Sequence, residues 1–268
     1  MLNRQQIYCN NLGPTMQPEI VTIPCLSDNY AYLIHNPENG ETAAIDVPEA
    51  RPVRDELQRR NWTLNAILIT HHHSDHIDGI SELRKICDGH VIGSENDSAR
   101  LPPLDRAISD EESFWVCGLS VKSVPAYGHT IGHLAYLFEN AAFTGDSLMV
   151  MGCGRLFEGT SEMMWDTLCR LSQLPGETLI CSGHEYTEAN TRFALTVDPD
   201  NDDLVARQDA IRRARQAGRA TVPAKLSLEC ATNPFLRAGN PSIKRAAGMA
   251  AASDLEMFAE LRRRKDNF

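Results

Sequence analysis

The sequence predicts a layered α/β domain followed by a smaller helical domain, and three patterns support this prediction. Between residues 16 and 184, short apolar runs of strand type alternate with helical spacing, as expected for strands joined by helices. Several of these runs end in a histidine or an aspartate. After residue 184 strand patterns nearly disappear, and helical patterns with basic faces take over. We therefore expect an N-terminal extension at 1–15, a core domain at 16–184 and a helical domain at 185–268.

The predicted strands are short, and turn-forming residues separate them. The first two flank Asn-Pro-Glu-Asn-Gly at 36–40, a strong turn signal. In the last predicted helix, Leu255, Phe258 and Leu261 recur at three-residue spacing and give it one apolar face for packing. Strands are expected at 31–34, 43–46, 66–70, 121–124, 134–138, 141–144 and 178–182, and helices at 51–60, 79–86, 163–174, 202–216 and 254–265.

Composition argues against several classes of partner. The 268 residues carry a formal net charge of −10, so the chain lacks the basic surface that nucleic acids require. It contains no apolar run long enough for a membrane span, and its first residues lack the apolar core of a signal peptide. Eight cysteines form no Cys-x-x-Cys pair, which favours free thiols in a reducing cytosol. We expect a cytoplasmic monomer without nucleic-acid or membrane partners.

Four candidate metal ligands lie close together in Thr-His-His-His-Ser-Asp-His at 70–76. Alternate side chains of an extended segment face the same way, so His71 and His73 can reach one ion together while His72 points elsewhere. Asp75 and His76 follow where the chain turns into a helix, and they can reach a second ion. Imidazole and carboxylate ligands suit Zn²⁺, Fe or Mn²⁺, and these four exceed what one ion needs from one loop.

Three more ligand-type residues follow predicted strands after small or glycine-rich turns, namely His129, Asp146 and His184. A single histidine at a strand end is usually a hydrogen-bonded polar residue. Burying five imidazoles and two carboxylates together without a metal would, however, be costly. Seven ligands with one carboxylate shared give each of two ions four protein atoms, an arrangement in which paired ions activate a water. His133, four residues after His129, is expected not to be a ligand.

Asp46 also ends a predicted strand, and two interpretations of it stay open. Its carboxylate could hydrogen-bond a ligand imidazole and so determine which ring nitrogen carries the proton. It could equally cap the turn before Pro48.

The Thr-His-x-His-x-Asp-His motif, with the later Gly-His-Thr, Thr-Gly-Asp and Gly-His elements, resembles the metallo-β-lactamase superfamily. Within that superfamily the chain is most similar to the glyoxalase II (hydroxyacylglutathione hydrolase) family, over residues 19–268. The segments typical of that family are Phe-Thr-Gly-Asp-Ser-Leu at 143–148, Gly-Cys-Gly-Arg-Leu-Phe-Glu-Gly-Thr at 152–160, Gly-His-Glu-Tyr-Thr at 183–187, Asn-Pro-Phe-Leu-Arg at 233–237 and the basic end at 262–268.

This resemblance implies an αβ/βα metallo-β-lactamase-type sandwich with a smaller C-terminal helical domain that binds substrate. It implies that His71, His73 and His129 hold one ion and that Asp75, His76 and His184 hold the other. Asp146 would bridge the two ions and hold the hydroxide that attacks the substrate, with Asp75 as a candidate proton acceptor. Arg262 and Lys265 would bind the glycine carboxylate of glutathione, and Tyr186 would line the substrate site.

Two positions in the 152–160 segment depart from the family pattern. The family usually has a lysine and then a tyrosine that contact glutathione, where this chain has Arg155 and Phe157. Arg155 keeps the positive charge, whereas Phe157 has no hydroxyl to donate.

The guanidinium of Arg262 can hold a carboxylate through two hydrogen bonds. Without the resemblance, the basic residues from Arg262 to Lys265 would be interpreted as cations that offset the dipole of the last helix.

The expected function is hydrolysis of S-2-hydroxyacylglutathione thioesters, as when S-D-lactoylglutathione gives D-lactate and glutathione in methylglyoxal detoxification. The expected cofactors are two divalent ions, zinc first and iron or manganese as alternatives. The alternatives on the same site are another dinuclear hydrolase (an RNA-processing nuclease or a different thioesterase), a β-lactamase and a persulfide dioxygenase. The acidic charge argues against the nuclease, and the complete second ligand set argues against the single-iron dioxygenase. A non-catalytic metal-binding or redox-sensing protein is the alternative from another class.

Overall fold

A computed structural model describes residues 17–85 and 89–268. The extension predicted at 1–15 lies outside the described residues, as does Ile86, the last residue of the helix predicted at 79–86. Within the described ranges, no helix combines the length and the apolar character that a membrane crossing requires. The cysteines of these ranges are free thiols, and most of them are buried.

The first half of the chain forms a six-stranded sheet with helices on its outer face. The two strands nearest the N-terminus pair antiparallel at one edge, and from β3 onward the strands run parallel. In spatial order the strands are β1 (Glu19–Cys25), β2 (Asn29–His35), β3 (Glu41–Ile45), β4 (Thr63–Leu68), β5 (His90–Ser94) and β6 (Arg106–Ile108). The helices between them are α1 (Ala50–Arg60), α2 (Ser74–Ile77) and α3 (Ile80–Leu83).

The second half forms another six-stranded sheet, in the order β14-β13-β10-β9-β8-β7, and a small two-stranded ladder of β11 and β12. In this sheet β10 and β13 pair parallel, while the other neighbours pair antiparallel. In chain order the strands are β7 (Ser113–Val116), β8 (Leu119–Pro125), β9 (Leu134–Phe138), β10 (Ala141–Gly145), β11 (Leu148–Met149), β12 (Gly152–Cys153), β13 (Leu179–Ser182) and β14 (Ala224–Lys225).

The apolar residues of each sheet divide between an inner and an outer core, which gives the fold four layers. Tyr32 of β2 and Tyr136 of β9 belong to the core between the sheets, whereas Leu33 and Ala135 beside them belong to the two outer cores. Successive side chains of a strand point to opposite faces, so strands buried on both faces have continuous apolar sequences. The order helix–sheet–sheet–helix confirms the predicted αβ/βα sandwich.

The remaining helices cover the second sheet, and most of them follow residue 184. The last one begins at a capping box formed by Ser253 and Glu256, and its apolar face packs on the outer core, where Phe258 contacts Trp165. Because β14 pairs with β13, the C-terminal segment also adds a strand to the sheet. The domain division at residue 184 stays a prediction. These helices are α4 (Ser161–Ser172), α5 (Thr187–Val197), α6 (Asp202–Gln216), α7 (Leu226–Thr232), α8 (Pro241–Ala246) and α9 (Asp254–Asp266).

Some elements differ from the sequence-based expectations. The pattern does not predict β1, which contains Pro24 and lies at a sheet edge, where proline is tolerated. It does not predict β5, β6 and β7, which have three to five residues each and offer little periodicity. The strand expected at 66–70 is β4, which ends at Leu68, so that the polar loop begins two residues earlier. The helix expected at 79–86 is represented by α3 alone within the described residues.

Candidate metal centre

The seven ligand candidates meet where strands of both sheets end. Four follow β4, in the loop and in α2, and the other three follow strands β8, β10 and β13. Backbone hydrogen bonds join the two sheets there, since Leu134 N donates to Thr70 O (2.9 Å) and Tyr30 N donates to Gly183 O (2.8 Å). Each half of the sandwich therefore supplies part of the site. The candidates are His71, His73, Asp75, His76, His129, Asp146 and His184.

Three imidazoles form the first group of ligand candidates. Nδ1 of His73 lies 3.1 Å from Nε2 of His71 and 3.0 Å from Nε2 of His129. The three nitrogens lie within 4.8 Å of one another. Nitrogen lone pairs at this distance repel one another unless a proton or a cation lies between them, so the group suits one metal ion.

Asp75, His76 and His184 form the second group. Oδ2 of Asp75 lies 3.4 Å from Nε2 of His184 and 3.9 Å from Nε2 of His76. The amide of Asn29 donates to the same Asp75 oxygen at 3.0 Å and to the Asp75 carbonyl at 2.9 Å, which holds the carboxylate in place. The group offers two nitrogens and one oxygen within 4.8 Å of one another.

Asp146 lies between the two groups. Its Oδ1 is 3.4 Å from Nε2 of His76, and its Oδ2 is 3.2 Å from Nε2 of His184 and 3.5 Å from Nε2 of His129. Asp146 Oδ1 and His76 Nε2 are buried, yet neither has a hydrogen-bond partner within the described ranges. An unsatisfied buried polar atom costs about 1–3 kcal/mol, and a cation would engage these two atoms. The residues therefore fit a pair of divalent ions.

The protonation states of the first group and of Asp146 also suit metal binding. Burial lowers the pKa of His71 well below its usual value and the pKa of His73 to about 4, and it lowers the pKa of His129 as well. These three imidazoles are therefore neutral at pH 7, as ligands must be. Burial by itself would raise the pKa of Asp146, but the imidazoles of His76 and His184 outweigh it and hold that pKa well below its usual range.

Hydrogen bonds on the far side of three rings direct Nε2 towards the centre. Nδ1 of His76 lies 2.8 Å from Asp46 Oδ2, and Nδ1 of His184 lies 2.8 Å from Asp28 Oδ1. Nδ1 of His129 lies 2.8 Å from the carbonyl oxygen of Arg155. Because these oxygens are acceptors, each Nδ1 donates and each Nε2 is left for a ligand.

Asp46 is held in place by Thr70, whose backbone N–H and hydroxyl each donate to its carboxylate at 2.8 Å. The sequence left open whether Asp46 hydrogen-bonds a ligand imidazole or caps the turn before Pro48. Its contact with His76 favours the first interpretation.

Gly183 is needed for close approach on the other side of the centre. A Cβ there would lie 2.5 Å from Asp146 Oδ1 and 2.6 Å from His76 Cε1.

A cleft of about 520 Å³ opens beside the ligand candidates. Its walls come from the core domain and from α5 and α9, so it connects the strand ends with the C-terminal helices. All the substrate residues predicted from the sequence line it, namely Arg155, Phe157, Tyr186, Arg262 and Lys265.

The basic residues of α9 divide between two faces of the helix. Arg263 and Arg264 pair with Glu260 away from the cleft. Arg262 faces the cleft but is only 5% exposed, and it donates to the carbonyl of Cys153 at 2.8 Å and to Asp266 at 2.8 Å. Its guanidinium is thus largely engaged within the protein and braces the β12 segment.

Lys265 is the less committed cation of the pair. Its ammonium makes no hydrogen bond or ion pair with the part of the chain that the structure describes, and it lies 5.6 Å from the ring centre of Phe193. Burial, and then the charge of Arg262, lower the pKa of Lys265. A partly buried ammonium without an anionic partner is stabilised more by a bound anion than an exposed ammonium is.

Phe157 and Tyr186 lie beside different ligand groups. The ring of Tyr186 stacks on His184, with centroids 4.6 Å apart. Phe157 is 64% exposed and packs edge-on against His73 and His129, with centroids 5.6 and 5.2 Å away. Arg155 lies beside Asp266, at 3.8 Å. The cleft therefore has an aromatic side over each ligand group and a positive end near α9.

Glu185, between His184 and Tyr186, anchors this loop to the segment after α6. Its nearly buried carboxylate accepts hydrogen bonds from Tyr30 Oη (2.7 Å), Arg215 Nη1 (3.2 Å), Thr221 N (2.8 Å) and Thr221 Oγ1 (2.5 Å). Its carboxylate thus joins β2, the His184 loop and the C-terminal segment.

Sequence patterns assign no role to Asp28, Asn29 or Glu185, although all three support the centre. Asp28 ends the turn after β1 and Asn29 begins β2; both have residue types common in turns, and their partners His184 and Asp75 are far away in sequence. His72, expected to point elsewhere, does so, with Nδ1 3.0 Å from Asp97 Oδ2.

Comparison with known families and proteins agrees with this geometry. Residues 31–127 match the metallo-beta-lactamase superfamily, and residues 185–268 match the family described as hydroxyacylglutathione hydrolase C-terminus. A hydroxyacylglutathione hydrolase of Cereibacter sphaeroides is 56% identical, covering 94% of this chain and 100% of its own length. One of Ruegeria pomeroyi is 54% identical with the same coverage.

Solved structures agree on the fold. The structure of ETHE1 from Myxococcus xanthus aligns with a TM-score of 0.66 at 26% identity, covering 92% of this chain and 90% of that one. TTHA1623, solved in a di-iron-bound form, aligns with a TM-score of 0.57 at 24% identity, covering 81% of this chain and 98% of its own.

Proposed function

We propose that this chain, which belongs to the hydroxyacylglutathione hydrolase family, cleaves its substrate at a centre of two divalent metal ions. It is a thioester hydrolase, and the reaction adds water across the bond between the acyl carbon and the glutathione sulfur. The products are a 2-hydroxy acid and glutathione, and S-D-lactoylglutathione is the substrate we propose.

One observation carries this proposal. The cleft that contains His73, Asp75, His129, Asp146 and His184 is also lined by the cationic side chains of α9. A substrate with a reactive carbonyl near one end and a carboxylate at the other can therefore occupy both regions at once. Such a carboxylate forms strong charge-assisted hydrogen bonds with a partly buried cation.

The two groups would hold one ion each, His71 with His73 and His129, and Asp75 with His76 and His184, with Asp146 shared between them. Bound divalent ions of this kind supply a water of lowered pKa and polarise a carbonyl oxygen. We propose zinc, with iron or manganese as alternatives, because nitrogen and carboxylate ligands serve all three.

The residues around the centre position the reactants. Asp46, Asp28 and the Arg155 carbonyl keep the proton on Nδ1 of their imidazole partners. Lys265, with Arg262 beside it, binds the glycine carboxylate, while Tyr186 and Phe157 enclose the acyl and cysteinyl portions. Asp75 is the candidate proton acceptor, since one of its carboxylate oxygens lies at the centre beside His184. The thiolate of glutathione leaves without a strong acid, because thiols have a pKa of only about 8.5.

We also propose that the chain acts as a cytoplasmic monomer. The free, mostly buried thiols of the described ranges support a reducing compartment. Light scattering of the purified protein tests the monomer, and a mass of two chains would contradict it.

The decisive experiment assays purified, metal-analysed protein on S-D-lactoylglutathione, a β-lactam and an RNA in parallel. We expect thioester turnover that disappears on chelation and returns with two equivalents of divalent metal. Faster cleavage of the β-lactam or RNA, or thioester turnover that survives complete metal removal, would reject the proposal.

A further inference from the structure

His133 is a fully buried histidine behind the candidate metal centre, and none of the roles given above uses it. It precedes β9, and its backbone carbonyl accepts a hydrogen bond from Ala126 N at 2.9 Å. Its ring contacts both the Asp146 backbone and the His71 ring. It therefore touches His71 of the first group and Asp146, which lies between the two groups.

The ring of His133 has a defined protonation state in this position. The backbone N–H of Asp146 donates to His133 Nε2 at 3.1 Å, so Nε2 carries no proton. An imidazole ring with one unprotonated nitrogen is neutral and carries its proton on the other nitrogen. Its single proton is therefore on Nδ1, and Nδ1 has no hydrogen-bond partner among the described residues.

An unpaired buried donor is unfavourable, and an apolar side chain of similar shape would avoid that cost. What an apolar side chain would lack is the acceptor at Nε2. Without it, the N–H of Asp146 would in turn be buried and unpaired. The hydrogen bond that Nε2 accepts from the Asp146 N–H thus offsets the cost of the unpaired Nδ1–H.

The backbone around Asp146 is adapted to this hydrogen bond. Gly145 has a φ of +46°, and a Cβ at this position would lie 2.8 Å from His133 Nε2 and 2.6 Å from Thr70 Oγ1. Glycine lets the chain turn at the end of β10 so that the Asp146 N–H points at the ring. On its other side, the ring of His133 stacks on His71, with centroids 4.7 Å apart and an angle of 16° between the planes.

We infer that His133 is a positioning residue that holds Asp146 through Nε2 and supports the ring of His71 through stacking. It does not line the cleft beside the ligand candidates, and it acts only through these two residues. The inference rests on the proposed metal roles of Asp146 and His71.

The first test needs no substitution. In protein labelled with ¹⁵N-histidine, NMR shifts and couplings distinguish a ring protonated at Nδ1 from one protonated at Nε2. We expect His133 to be the Nδ1–H tautomer at neutral pH, in both metal-free and zinc-loaded protein, with a through-hydrogen-bond coupling to the Asp146 amide. A ring protonated at Nε2 would overturn the inference.

The second test compares His133→Gln with His133→Met, two side chains of similar length. Glutamine retains an acceptor for the Asp146 N–H, whereas methionine does not. We expect methionine to weaken metal binding by about 10–100-fold and to lower kcat with little change in KM, as is typical when a supporting hydrogen bond is lost. We expect glutamine to recover most of the affinity and to restore the absorption spectrum of bound Co²⁺.

The control is His35→Met, since His35 is another stacked, hydrogen-bonded imidazole, located against Trp62 at the far end of β2. Equal losses of metal affinity in His133→Gln and His133→Met, or a comparable loss in His35→Met, would refute a specific role for the Nε2 acceptor. The NMR measurement involves no turnover. A chain that binds no metal would therefore refute the proposed function while the tautomer of His133 is still tested.

Discussion

Replacing Lys265 with methionine separates substrate binding from chemistry. The ammonium is half-buried, has no anionic partner of its own among the described residues and lies in the same cleft as the ligand candidates. A hydrogen bond to a charged group contributes about 1.5–3 kcal/mol. Since about 1.4 kcal/mol is tenfold in an equilibrium constant, KM should rise by roughly 10–150-fold.

We expect kcat to change little in Lys265→Met, because the carboxylate is remote from the reacting carbonyl and is bound equally in the ground and transition states. Metal content should also be unchanged. Steady-state kinetics on S-D-lactoylglutathione and metal analysis of the same samples measure both. The matched control is Arg263→Met, which removes an exposed cation on the same helix that pairs with Glu260 outside the cleft.

A chemically altered substrate makes the test sharper. Esterification of the glycine carboxylate removes the anion that Lys265 is expected to bind. Wild-type enzyme should discriminate strongly between the acid and the ester, and Lys265→Met should discriminate far less. Equal discrimination by both enzymes would refute the assignment, as would a fall in kcat at constant KM.

Four further outcomes follow from the geometry. Because burial and neighbouring arginines lower the pKa of Lys265, its charge is lost at a lower pH than that of a free lysine, so KM should rise towards alkaline pH in wild type and stay flat in Lys265→Met. Asp146→Asn should reduce metal content below two per chain and activity by more than ~100-fold, because the shared carboxylate contacts both groups. Glu185→Gln should lower the free energy of unfolding by about 1–3 kcal/mol in denaturant titrations, because a charged acceptor of several hydrogen bonds is lost. Phe157→Tyr should lower KM by ~2–10-fold, the yield of one added hydrogen bond.

Each of these predictions can be contradicted by a specific result. A KM that rises identically in wild type and Lys265→Met would assign the pH effect to another group. Two metals per chain with full turnover in Asp146→Asn would remove the bridging role. Glu177→Gln, at an exposed carboxylate paired with Lys225, should leave stability unchanged, and a loss equal to that of Glu185→Gln would deny the buried network its importance. An unchanged KM in Phe157→Tyr would place glutathione away from that ring.

The strand ends could be located from the sequence because their signal is local. An apolar run such as 66–70 followed at once by histidines marks both the buried strand and the polar edge, and the structure brings those residues together. The short strands β5 to β7 could not be located, because three to five residues carry too little periodicity.

The supporting residues escaped sequence reasoning for a different reason. Asp28 and His184 are 156 positions apart, and Asn29 and Asp75 are 46 apart, so no spacing in the sequence relates them. Asp28 and Asn29 also have the residue types of an ordinary turn, which hides their second role. The location of Arg262 beside the substrate cleft could be predicted from the sequence. Its hydrogen bonds to Cys153 and Asp266 could not, because they depend on how α9 packs against the rest of the chain.

The joining of the two sheets at Thr70–Leu134 and Tyr30–Gly183 has a consequence for how the protein is assembled. The ligand candidates of each group come from opposite halves of the sandwich, so an ion held by His73 and His129, or by Asp75 and His184, would link the two halves. Before the two halves of the sandwich have docked, neither half contains a complete group of ligand candidates. At free metal 100-fold above its dissociation constant, each such ion would add about 2.7 kcal/mol to the stability of the docked state. Under the proposed metal binding, a shortage of ions would therefore lower the stability of the contact between the two halves.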